Sequence, residues 1–261
     1  RVATLLTAGG LKVWAGTADD DGALAAAAPG LDMLITFGGD GTIVRAVRAV
    51  AGAGVPILGV NLGRLGFLAE VEPGRVLSVI PALLRGEYAI EERMMVRAEL
   101  VRGERVIWQA DAINEVVLAR GRVARSVDVS VEVDGRHMIT FTADGVMVAG
   151  PTGSTAYSLA AGGPIVAPDL DCLIITPIAA HLTIARSIVI PAGRRLCLGY
   201  TRGYEATLTA DGHADVSLEP GDRIYHSASP VAARFVRLGG DGYFYETVLR
   251  RLRWPRTTST P

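Results

Sequence analysis

The feature that most constrains the fold is a strand, a glycine-rich turn and a helix in immediate succession near the N-terminus. The apolar run 31–37 has the length of a buried strand, and the turn 38–41, Gly-Gly-Asp-Gly, follows it directly. Apolar side chains then recur at helical spacing up to Ala51, and Thr42 is predicted to cap that helix. This order is typical of a βα unit.

The alternation of strand and helix continues over the first third of the chain. A second buried strand is predicted over 55–60, and a second helix over 73–85 with proline at its start and Gly86 after its end. The alanine-rich run 23–28 is also expected to be helical. The N-terminal part is therefore predicted to be an α/β domain.

From about Tyr88 the pattern changes to short β-type runs separated by turn residues. The run 127–133 alternates apolar and polar side chains, and the Asp-Gly pair at 134–135 signals a two-residue hairpin. Further turn signals occur at 211–212 and 220–222. One short helix is expected after the serine and threonine residues near 154. This part of the chain is predicted to be mostly β.

A last helix is predicted over 243–254. It is too short to form a domain, so we expect it to pack on the N-terminal part. The predicted domains are therefore an α/β domain at 1–88, joined by 240–261, and a β-rich domain at 89–239. The chain begins at Arg1 without methionine, and a trimmed N-terminus is expected.

Composition excludes several classes of protein and partner. A hydrophobic content of 49% and a charged content of 20% are those of a globular protein. With 26 basic and 27 acidic residues the net charge is −1, so nucleic acid and membrane are not expected partners. No apolar run approaches the about 20 residues of a membrane-spanning helix. Cys172 and Cys197 lie in apolar runs and are predicted to be reduced, which favours a cytoplasmic location.

The turn 38–41 has the composition of a phosphate site. Its three glycines leave backbone N–H groups uncovered at the start of a helix, where anions bind favourably. Asp40 would repel a phosphate, and its presence makes sense if it binds Mg²⁺ or takes a proton from an attacking hydroxyl. The alternative is a tight turn in which Asp40 is only a helix cap.

A second candidate site lies at 144–158, where a strand leads into small and hydroxyl residues. Hydroxyls and open backbone can hydrogen-bond a base or ribose, and Tyr157 can stack on a flat ring. The alternative is a helix cap with Tyr157 in the core. Asn114 and Glu115 interrupt an apolar stretch, which indicates either a site or a sheet edge.

Several catalytic motifs are absent from the sequence. It has no P-loop, no protein-kinase H-R-D and D-F-G pair, and no G-x-G-x-x-G after a strand. The four histidines lack zinc-site spacing, and no serine lies in a G-x-S-x-G elbow. A dinucleotide is therefore not expected to bind in the Rossmann manner.

Six segments together resemble the NAD kinases in content and order. The turn 38–41 alone is shared with diacylglycerol and sphingosine kinases and, more loosely, with phosphofructokinases. Its combination with the Thr-Gly-Ser-Thr-Ala-Tyr segment at 152–157 is much more specific. The resemblance runs from about Leu31 onward, over segments 38–42, 61–68, 114–115, 144–158, 162–166 and 175–178.

The resemblance implies phosphorylation of the adenosine ribose 2′-hydroxyl of NAD, which produces NADP. NAD is the acceptor, ATP or polyphosphate the donor, and Mg²⁺ or another divalent cation the cofactor, with no dedicated metal-binding residues. The implied fold is an N-terminal α/β domain and an all-β, sandwich-like C-terminal domain, assembled as a homodimer or homotetramer. In the family a strand precedes Gly9-Gly10, and it is expected to be short here.

The resemblance also implies roles for individual residues. Asp40 is the expected catalytic proton acceptor, and Arg125 is expected to approach a phosphate. The NAD-binding residues it implies are Asp40, Gly41, Asn114, Glu115, Arg125, Thr142, Asp144, Thr152, Thr155, Ala156, Tyr157, Ser158, Leu159, Ala160, Ala179 and His213. The donor-binding residues are Gly38, Gly39, Gly41, Thr42, Arg45, Gly63 and Arg64.

Some positions depart from the family pattern. Ala149-Gly150 stands where Ser-Thr is common, and His213 where glutamine is common. Two alternatives stay open at this stage: a lipid or sphingoid kinase that shares the glycine-aspartate turn, and a non-catalytic regulator that binds NAD. The sequence does not distinguish ATP from polyphosphate as the donor, or NAD from NADH as the acceptor.

Overall fold

The computed structural model describes residues 1–17, 19–63, 66–121, 125–181, 186–239 and 243–251. It divides into two compact units. The α/β unit contains residues 1–92 together with the chain from 234 onward, and the β unit contains residues 93–233. The unit boundaries fall inside two long strands, so the chain passes between the units in extended conformation.

Helices and strands alternate in the first part of the chain, and strands dominate afterwards. The α-helices are α1 (Val2–Ala8), α2 (Asp21–Ala27), α3 (Asp40–Val50), α4 (Val76–Leu84), α5 (Tyr157–Ala160) and α6 (Tyr243–Arg251). The strands are β1 (Leu34–Gly38), β2 (Ile57–Asn61), β3 (Ala89–Arg102), β4 (Arg105–Ala112), β5 (Glu115–Arg120), β6 (Val127–Val133), β7 (Arg136–Ala143), β8 (Gly145–Ala149), β9 (Cys172–Ile178), β10 (Ile188–Pro191), β11 (Leu196–Arg202), β12 (Ala206–Ala210), β13 (His213–Leu218) and β14 (Arg223–Arg237). Short 3₁₀ turns lie at Ala28–Gly30, Ala51–Ala53, Pro73–Arg75 and Thr152–Thr155.

In the α/β unit, β1 and β2 pair in parallel, from Leu34 opposite Ile57 to Gly38 opposite Asn61. The last residues of β14 add a further parallel pairing to β2 through Phe235. Helix α3 connects β1 to β2 and buries an apolar stripe at helical spacing, as its sequence predicts. The unit thus places the turn 38–41 at the carboxyl end of β1.

Helix α3 begins at Asp40, so the prediction that Thr42 caps it is wrong. Gly39 is the N-cap in an extended conformation, with φ −97° and ψ −172°. An acidic first residue is favoured there because the helix N-terminus is positive. The side chain of Thr42 instead packs over Gly38, where an added Cβ would lie 2.2 Å from the Thr42 hydroxyl.

Other boundaries in this unit also shift. Strand β1 begins at Leu34 because a 3₁₀ turn containing Pro29 precedes it. The helix predicted over 73–85 begins with the 3₁₀ turn, continues as α4 and ends before Gly86, which has a φ of +72°. Residues 2–8 form helix α1 where a short strand was expected, since leucine and alanine there favour a helix.

The β unit contains two sheets that share one core. The first has the strand order β4-β3-β14-β11-β6-β7, and the second has the order β10-β9-β8-β5-β12-β13. Both contribute to a single buried cluster, with Val96 and Val129 from the first sheet and Leu118 and Leu173 from the second. This arrangement is a β-sandwich, and it confirms the implied fold of the C-terminal domain.

The Asp-Gly turns predicted at 134–135 and 211–212 are confirmed as hairpins, whereas the third predicted turn, at 220–222, joins β13 and β14, which lie in different sheets. Asp134 and Gly135 have φ values of +53° and +76°, and they join β6 to β7. Asp211 and Gly212 have φ values of +49° and +71°, and they join β12 to β13. Positive φ at both central residues is the type I′ conformation that Asp-Gly favours.

Three further sequence predictions concern the cysteines, the C-terminal helix and the membrane. Cys172 and Cys197 are buried free thiols on β9 and β11. Helix α6 belongs to the α/β unit, and the end of the helix predicted over 243–254 lies outside the described residues. In the described part of the chain, no helix is long and apolar enough to cross a membrane.

Candidate active site

The glycine-rich turn of the α/β unit is open around its backbone. An added Cβ at Gly39 or Gly41 would meet no atom within 4 Å. Neither glycine is therefore needed to relieve a clash within the protein. Because the N–H groups at the start of α3 have no side-chain cap, the turn offers uncovered donors to an anion.

The carboxylate of Asp40 is held by the backbone of a second loop. Its Oδ2 accepts a hydrogen bond from the Phe67 N–H at 2.7 Å, and its Oδ1 accepts one from the Leu68 N–H at 3.2 Å. A Cβ added to Gly66 would lie 1.9 Å from Oδ1. Gly66 thus provides the space that this carboxylate occupies. The alternative in which Asp40 is only a helix cap does not explain this second support.

These three supporting residues were missed as functional residues by the sequence interpretation. Within the segment 61–68, the resemblance implied a role only for Gly63 and Arg64, in donor binding, and none for residues 66–68. The available signal was a pair of glycines, Gly63 and Gly66, directly after a buried strand. A glycine after a strand marks a turn or a close approach by another group. Here the group that approaches Gly66 is the carboxylate of Asp40.

The start of the same segment lies beside the glycine turn. The Leu62 N–H donates to the Gly38 carbonyl at 3.0 Å, and the Asn61 side chain accepts from the Gly63 N–H at 3.1 Å. An added Cβ at Gly63 would meet no atom within 4 Å. Gly63 and the turn 38–41 are thus brought together at one sheet edge, whereas Arg64 lies outside the described residues.

Arg45, an expected donor-binding residue, is already paired with acidic side chains. Its guanidinium lies 2.7 Å from Asp19 and 3.3 Å from Asp21, and Asp21 also bonds Arg48. Binding of a donor phosphate by Arg45 would have to compete with these ion pairs.

In the β unit, several expected NAD-binding residues meet at one end of the second sheet. Asn114 directly precedes β5, which begins at Glu115. Glu115 pairs with Ala149 at the end of β8, and Val116 pairs with Ala210 at the end of β12. We call this the Asn114 end, formed by residues 113–115, 150–158 and 211–213. Since β5 lies between β8 and β12, Asn114 and Glu115 are not at a sheet edge, and that alternative is wrong.

The backbone of Asn114 supports the loop that follows β8. Its carbonyl accepts a hydrogen bond from the Gly150 N–H at 3.0 Å. A Cβ added to Gly153 would lie 2.0 Å from the same carbonyl oxygen, so only glycine allows this approach. The position of Asn114 therefore determines where the loop 150–153 lies.

The hydroxyls of this loop divide into occupied and free groups. The Ser154 hydroxyl makes two hydrogen bonds to the Val166 backbone. Its Oγ accepts from the Val166 N–H at 3.0 Å and donates to the Val166 carbonyl at 3.1 Å. Ser158 lies 3.1 Å from the Thr176 hydroxyl. The Thr152 hydroxyl is buried without a hydrogen-bond partner. Of these three hydroxyls, that of Thr152 is the one without a hydrogen-bond partner.

Tyr157 is 45% exposed at the start of α5, so the alternative that places it in the core is wrong. Its ring can cover a base or another flat group. The hydroxyl of Thr155 donates to the Thr152 carbonyl at 3.1 Å and so stiffens the turn before it. The remaining expected residues of this loop are Ala156 and Leu159, both half-buried, and Ala160, which is exposed.

Glu115 is buried beside another carboxylate. Burial and the negative charge of Asp211 raise the pKa of Glu115 to about 8, and a backbone hydrogen bond from Tyr157 opposes this shift. Its Oε2 has no hydrogen-bond partner. Glu115 is therefore protonated at neutral pH and can donate a hydrogen bond to a ligand.

A second group of expected residues lies at the opposite end of β8. The five residues of β8 place this Asp144 end about 13 Å from the Asn114 end. Asp144 forms a 2.8 Å ion pair with Arg120, and the Thr142 hydroxyl donates to Asp128 at 2.7 Å. Ala179 is exposed here with a φ of +47°. The structure thus divides the expected NAD-binding residues of this unit between two ends of one sheet.

Two expected residues lie near the surface. The Arg125 guanidinium stacks 4.2 Å from the ring centre of Tyr204, which is 70% exposed. The ring of His213 is exposed at the Asn114 end, and its Nδ1 lies 3.0 Å from the Asp211 carbonyl. Both side chains are accessible to a ligand.

Two family matches cover most of the chain. Residues 12–88 match the ATP-NAD kinase N-terminal domain, and residues 113–238 match the ATP-NAD kinase C-terminal domain. The NAD kinase of Symbiobacterium thermophilum is 46% identical over 222 residues, which cover 85% of this chain and 78% of the relative. The NAD kinase of Moorella thermoacetica is 43% identical, with 84% and 70% covered.

Solved structures share the fold. A crystal structure of yeast NADH kinase complexed with NADH has a TM-score of 0.80 at 26% identity and covers 88% of this chain and 69% of its own. A crystal structure of an NAD kinase from Archaeoglobus fulgidus in complex with ATP has a TM-score of 0.75 at 26% identity, with 94% and 90% covered.

The fold and the site define a transferase that acts on a nucleotide. The chain belongs to the NAD kinase family. Its activity is thus the phosphorylation of NAD, and neither a lipid kinase nor a non-catalytic regulator is favoured.

Proposed function

We propose that Asp40 takes the proton of the adenosine ribose 2′-hydroxyl of NAD while that oxygen attacks the terminal phosphate of ATP. The observation that carries this assignment is the double backbone support of the Asp40 carboxylate by Phe67 and Leu68. An ionised carboxylate has about four acceptor positions, so two remain for a substrate hydroxyl. A carboxylate fixed by backbone donors is well placed for general-base chemistry.

The chemistry requires orientation more than a strong base. Phosphoryl transfer passes through a loose transition state, in which alignment of the hydroxyl and neutralisation of phosphate charge supply most of the catalysis. We assign the donor phosphates to the N–H groups of the open turn, with Gly63 beside it. The donor-binding set is Gly38, Gly39, Gly41, Thr42 and Gly63, while Arg45 can join it only by leaving its acidic partners.

We assign NAD binding to the two ends of the second sheet in the β unit. At the Asn114 end, the free hydroxyl of Thr152, the protonated Glu115 and the exposed ring of Tyr157 offer hydrogen bonds and a stacking surface. The Asp144 end offers the Asp144 carboxylate to the amide of the nicotinamide. Arg125 and His213 supply accessible polar groups at these two ends.

A divalent cation is part of the proposed reaction, and we assign it no dedicated site on the protein. In the described ranges, no three histidine, cysteine or acidic side chains are placed to hold a metal ion. Two acceptor positions of Asp40 are already used by backbone N–H groups. We therefore assign Mg²⁺ to the donor phosphates and water, which is its common coordination with nucleotides, and route no step through a protein-bound metal.

We further propose that the protein acts in the cytoplasm as a homodimer or homotetramer. The cytoplasmic proposal is supported by two cysteines that are free thiols. The oligomer proposal rests on the resemblance to the family. Sedimentation of the purified protein distinguishes a dimer from a tetramer, and a monomer at working concentrations would contradict both.

The reaction is tested by supplying purified protein with NAD, Mg²⁺ and either ATP or polyphosphate, and measuring NADP with an NADP-specific dehydrogenase. We expect NADP with ATP. If NADP forms with polyphosphate but not with ATP, polyphosphate is the phosphoryl donor. Asp32→Asn is the matched control for a change at Asp40, because Asp32 is an exposed carboxylate of the same unit. The Asp32→Asn variant should retain full activity. The proposed reaction is wrong if neither donor yields NADP.

A further inference from the structure

The turn between β12 and β13 is hydrogen-bonded to the segment that carries Asn114 and Glu115. The Oδ2 atom of Asp211 accepts a hydrogen bond from the Ile113 N–H at 2.8 Å. Its Oδ1 accepts from the Asn114 N–H at 2.8 Å and from the Glu115 N–H at 3.2 Å. Three successive backbone donors therefore converge on one carboxylate, an arrangement that suits an anion.

A fourth bond closes the connection from the other side. The Asp211 N–H donates to the Glu115 carbonyl at 3.0 Å. Asp211 adopts a left-handed conformation with a φ of +49°, which aspartate tolerates in a type I′ turn. The turn thus bonds the 113–115 segment through both its side chain and its backbone.

The position of the 113–115 backbone also determines the position of the loop after β8. The Asn114 carbonyl accepts the Gly150 N–H at 3.0 Å and lies against Gly153. Asp211 fixes the amide side of Asn114, and the loop 150–153 rests on its carbonyl side. A shift of the 113–115 backbone would move Glu115 and the start of the nucleotide loop together.

We propose that Asp211 is a positioning residue for NAD, which acts through Asn114 and Glu115 without touching the substrate. This proposal rests on the assignment of NAD binding to the Asn114 end. Its charge also favours the protonated form of Glu115, the form that can donate to a ribose or base.

Aspartate is better suited to this place than asparagine, although both fit the turn. A carboxylate only accepts hydrogen bonds, whereas an amide presents an NH₂ group as well as an oxygen. In an Asp211→Asn variant the NH₂ group would face at least one backbone N–H among residues 113–115. Asparagine followed by glycine is a favoured type I′ pair, so the hairpin itself should fold.

A matched control exists in the same unit. Asp134 has the same turn type, is followed by Gly135, and also accepts a backbone hydrogen bond, from the Arg195 N–H at 3.1 Å. That turn joins β6 and β7 in the first sheet and has no described bond to 113–115. Asp134→Asn therefore repeats the chemical change without disturbing the Asn114 end.

The experiment measures NADP formation by wild type, Asp211→Asn and Asp134→Asn over ranges of NAD and ATP. For Asp211→Asn we expect about a tenfold rise in KM for NAD, with kcat and KM for ATP within about twofold, the size of effect typical of a lost charged hydrogen bond. Asp134→Asn should leave all three constants within twofold. An unchanged KM for NAD, or an equal loss in both variants, would overturn the proposal.

Combining the change with Asn114→Ala tests whether Asp211 acts through its neighbours. If so, the rise in KM for NAD in the double variant should be smaller than the product of the two single effects. A fully multiplicative effect would contradict the proposed route. Wild-type activity separates the two hypotheses, since an inactive wild type contradicts the proposed function, whereas an active wild type with an unaffected Asp211→Asn contradicts only the positioning role.

Discussion

In the α/β unit, Asp40 is supported by a loop 27 residues further along the chain, whereas in the β unit the Asn114 end is assembled across 97 residues. The first arrangement needs one βα turn and the loop after the next strand. The second needs three strand ends that become neighbours only when the sheet forms. In both places a carboxylate is held by backbone N–H groups, of Phe67 and Leu68 for Asp40 and of residues 113–115 for Asp211.

Backbone support of a carboxylate therefore serves two different purposes in the two units. Around Asp40 two acceptor positions remain for a substrate, so backbone support orients a reacting group. Asp211 accepts three backbone bonds and so supports other residues. Changes near Asp40 are thus expected to lower kcat, and changes at the Asn114 end to raise KM for NAD.

Among the changes that leave Asp40 itself intact, the largest effect is expected from Gly66→Ala. The new Cβ would overlap the Asp40 carboxylate, whose short side chain can rotate away from Phe67 and Leu68, so the fold survives while the orientation is lost. We expect kcat to fall by about 100-fold, since a misplacement of about 1 Å can have that effect, with NAD affinity within twofold. Steady-state kinetics and NAD titration measure both.

Gly74→Ala is the control for this change, because a Cβ at Gly74 meets no atom within 4 Å. It should retain wild-type kcat. A Gly66→Ala variant with full kcat would show that the support of Asp40 by the 66–68 loop is unnecessary.

The next prediction concerns the free energy of unfolding, which should depend on pH through the ionisation of Glu115. Its pKa is raised to about 8 in the folded state, so the folded protein binds more protons than the unfolded chain between that pKa and the ordinary carboxyl range. Stability relative to Glu115→Gln is then highest at low pH and is lost as the pH rises. We expect a relative decrease of about 3 kcal/mol between about pH 5 and pH 8.

Urea unfolding of wild type and Glu115→Gln at several pH values measures this difference. In Glu115→Gln, the free energy of unfolding should not show this decrease as the pH rises. Parallel pH dependence in the two proteins would mean that the Glu115 carboxyl ionises normally, and it would remove the assignment of Glu115 as a hydrogen-bond donor at neutral pH.

A smaller effect is expected from removing the ring of Tyr157. Stacking of a base on an aromatic side chain contributes enough that Tyr157→Ala should raise KM for NAD about tenfold, with kcat nearly unchanged. Tyr157→Phe keeps the ring and should behave as wild type. Tyr245→Ala, at an exposed tyrosine of the α/β unit, is the control. A large fall in kcat for Tyr157→Ala would break the division between the two regions.

The smallest effect is expected at Arg45. Because Asp19 and Asp21 already neutralise its charge, Arg45→Gln should change KM for ATP by no more than about twofold, in line with a partly exposed ion pair. Kinetics over a range of ATP concentrations measure this. A tenfold rise would mean that Arg45 leaves its acidic partners to bind the donor.

The two regions also differ in how far the sequence predicts them. The glycine turn, β1 and α3 follow from local pattern, since glycine, aspartate and helical spacing act over neighbouring residues. Even there, Gly66 could not be assigned, because its Cβ position matters only relative to a carboxylate 26 residues earlier in the chain. The helix start was misplaced because Gly39, with no side chain, serves as N-cap.

At the Asn114 end, the sequence identified residues without their contacts. Asn114, Glu115 and Tyr157 were found by pattern and resemblance, but strand order decides that β12 adjoins β5 and brings Asp211 to them. The Asp-Gly turn was correctly predicted as a hairpin. Its second use, as an anion placed against three N–H groups, depends on long-range pairing, which local propensity does not encode.

The most direct test of the central claim is Asp40→Asn, with single-turnover NADP formation and NAD affinity measured on the same protein. We expect the rate to fall by about 10³-fold or more, which is typical of the loss of an oriented general base, while NAD affinity stays within about twofold of wild type. An unchanged rate, or a loss of NAD affinity equal to the loss of rate, would contradict the assignment of Asp40 as the reacting carboxylate.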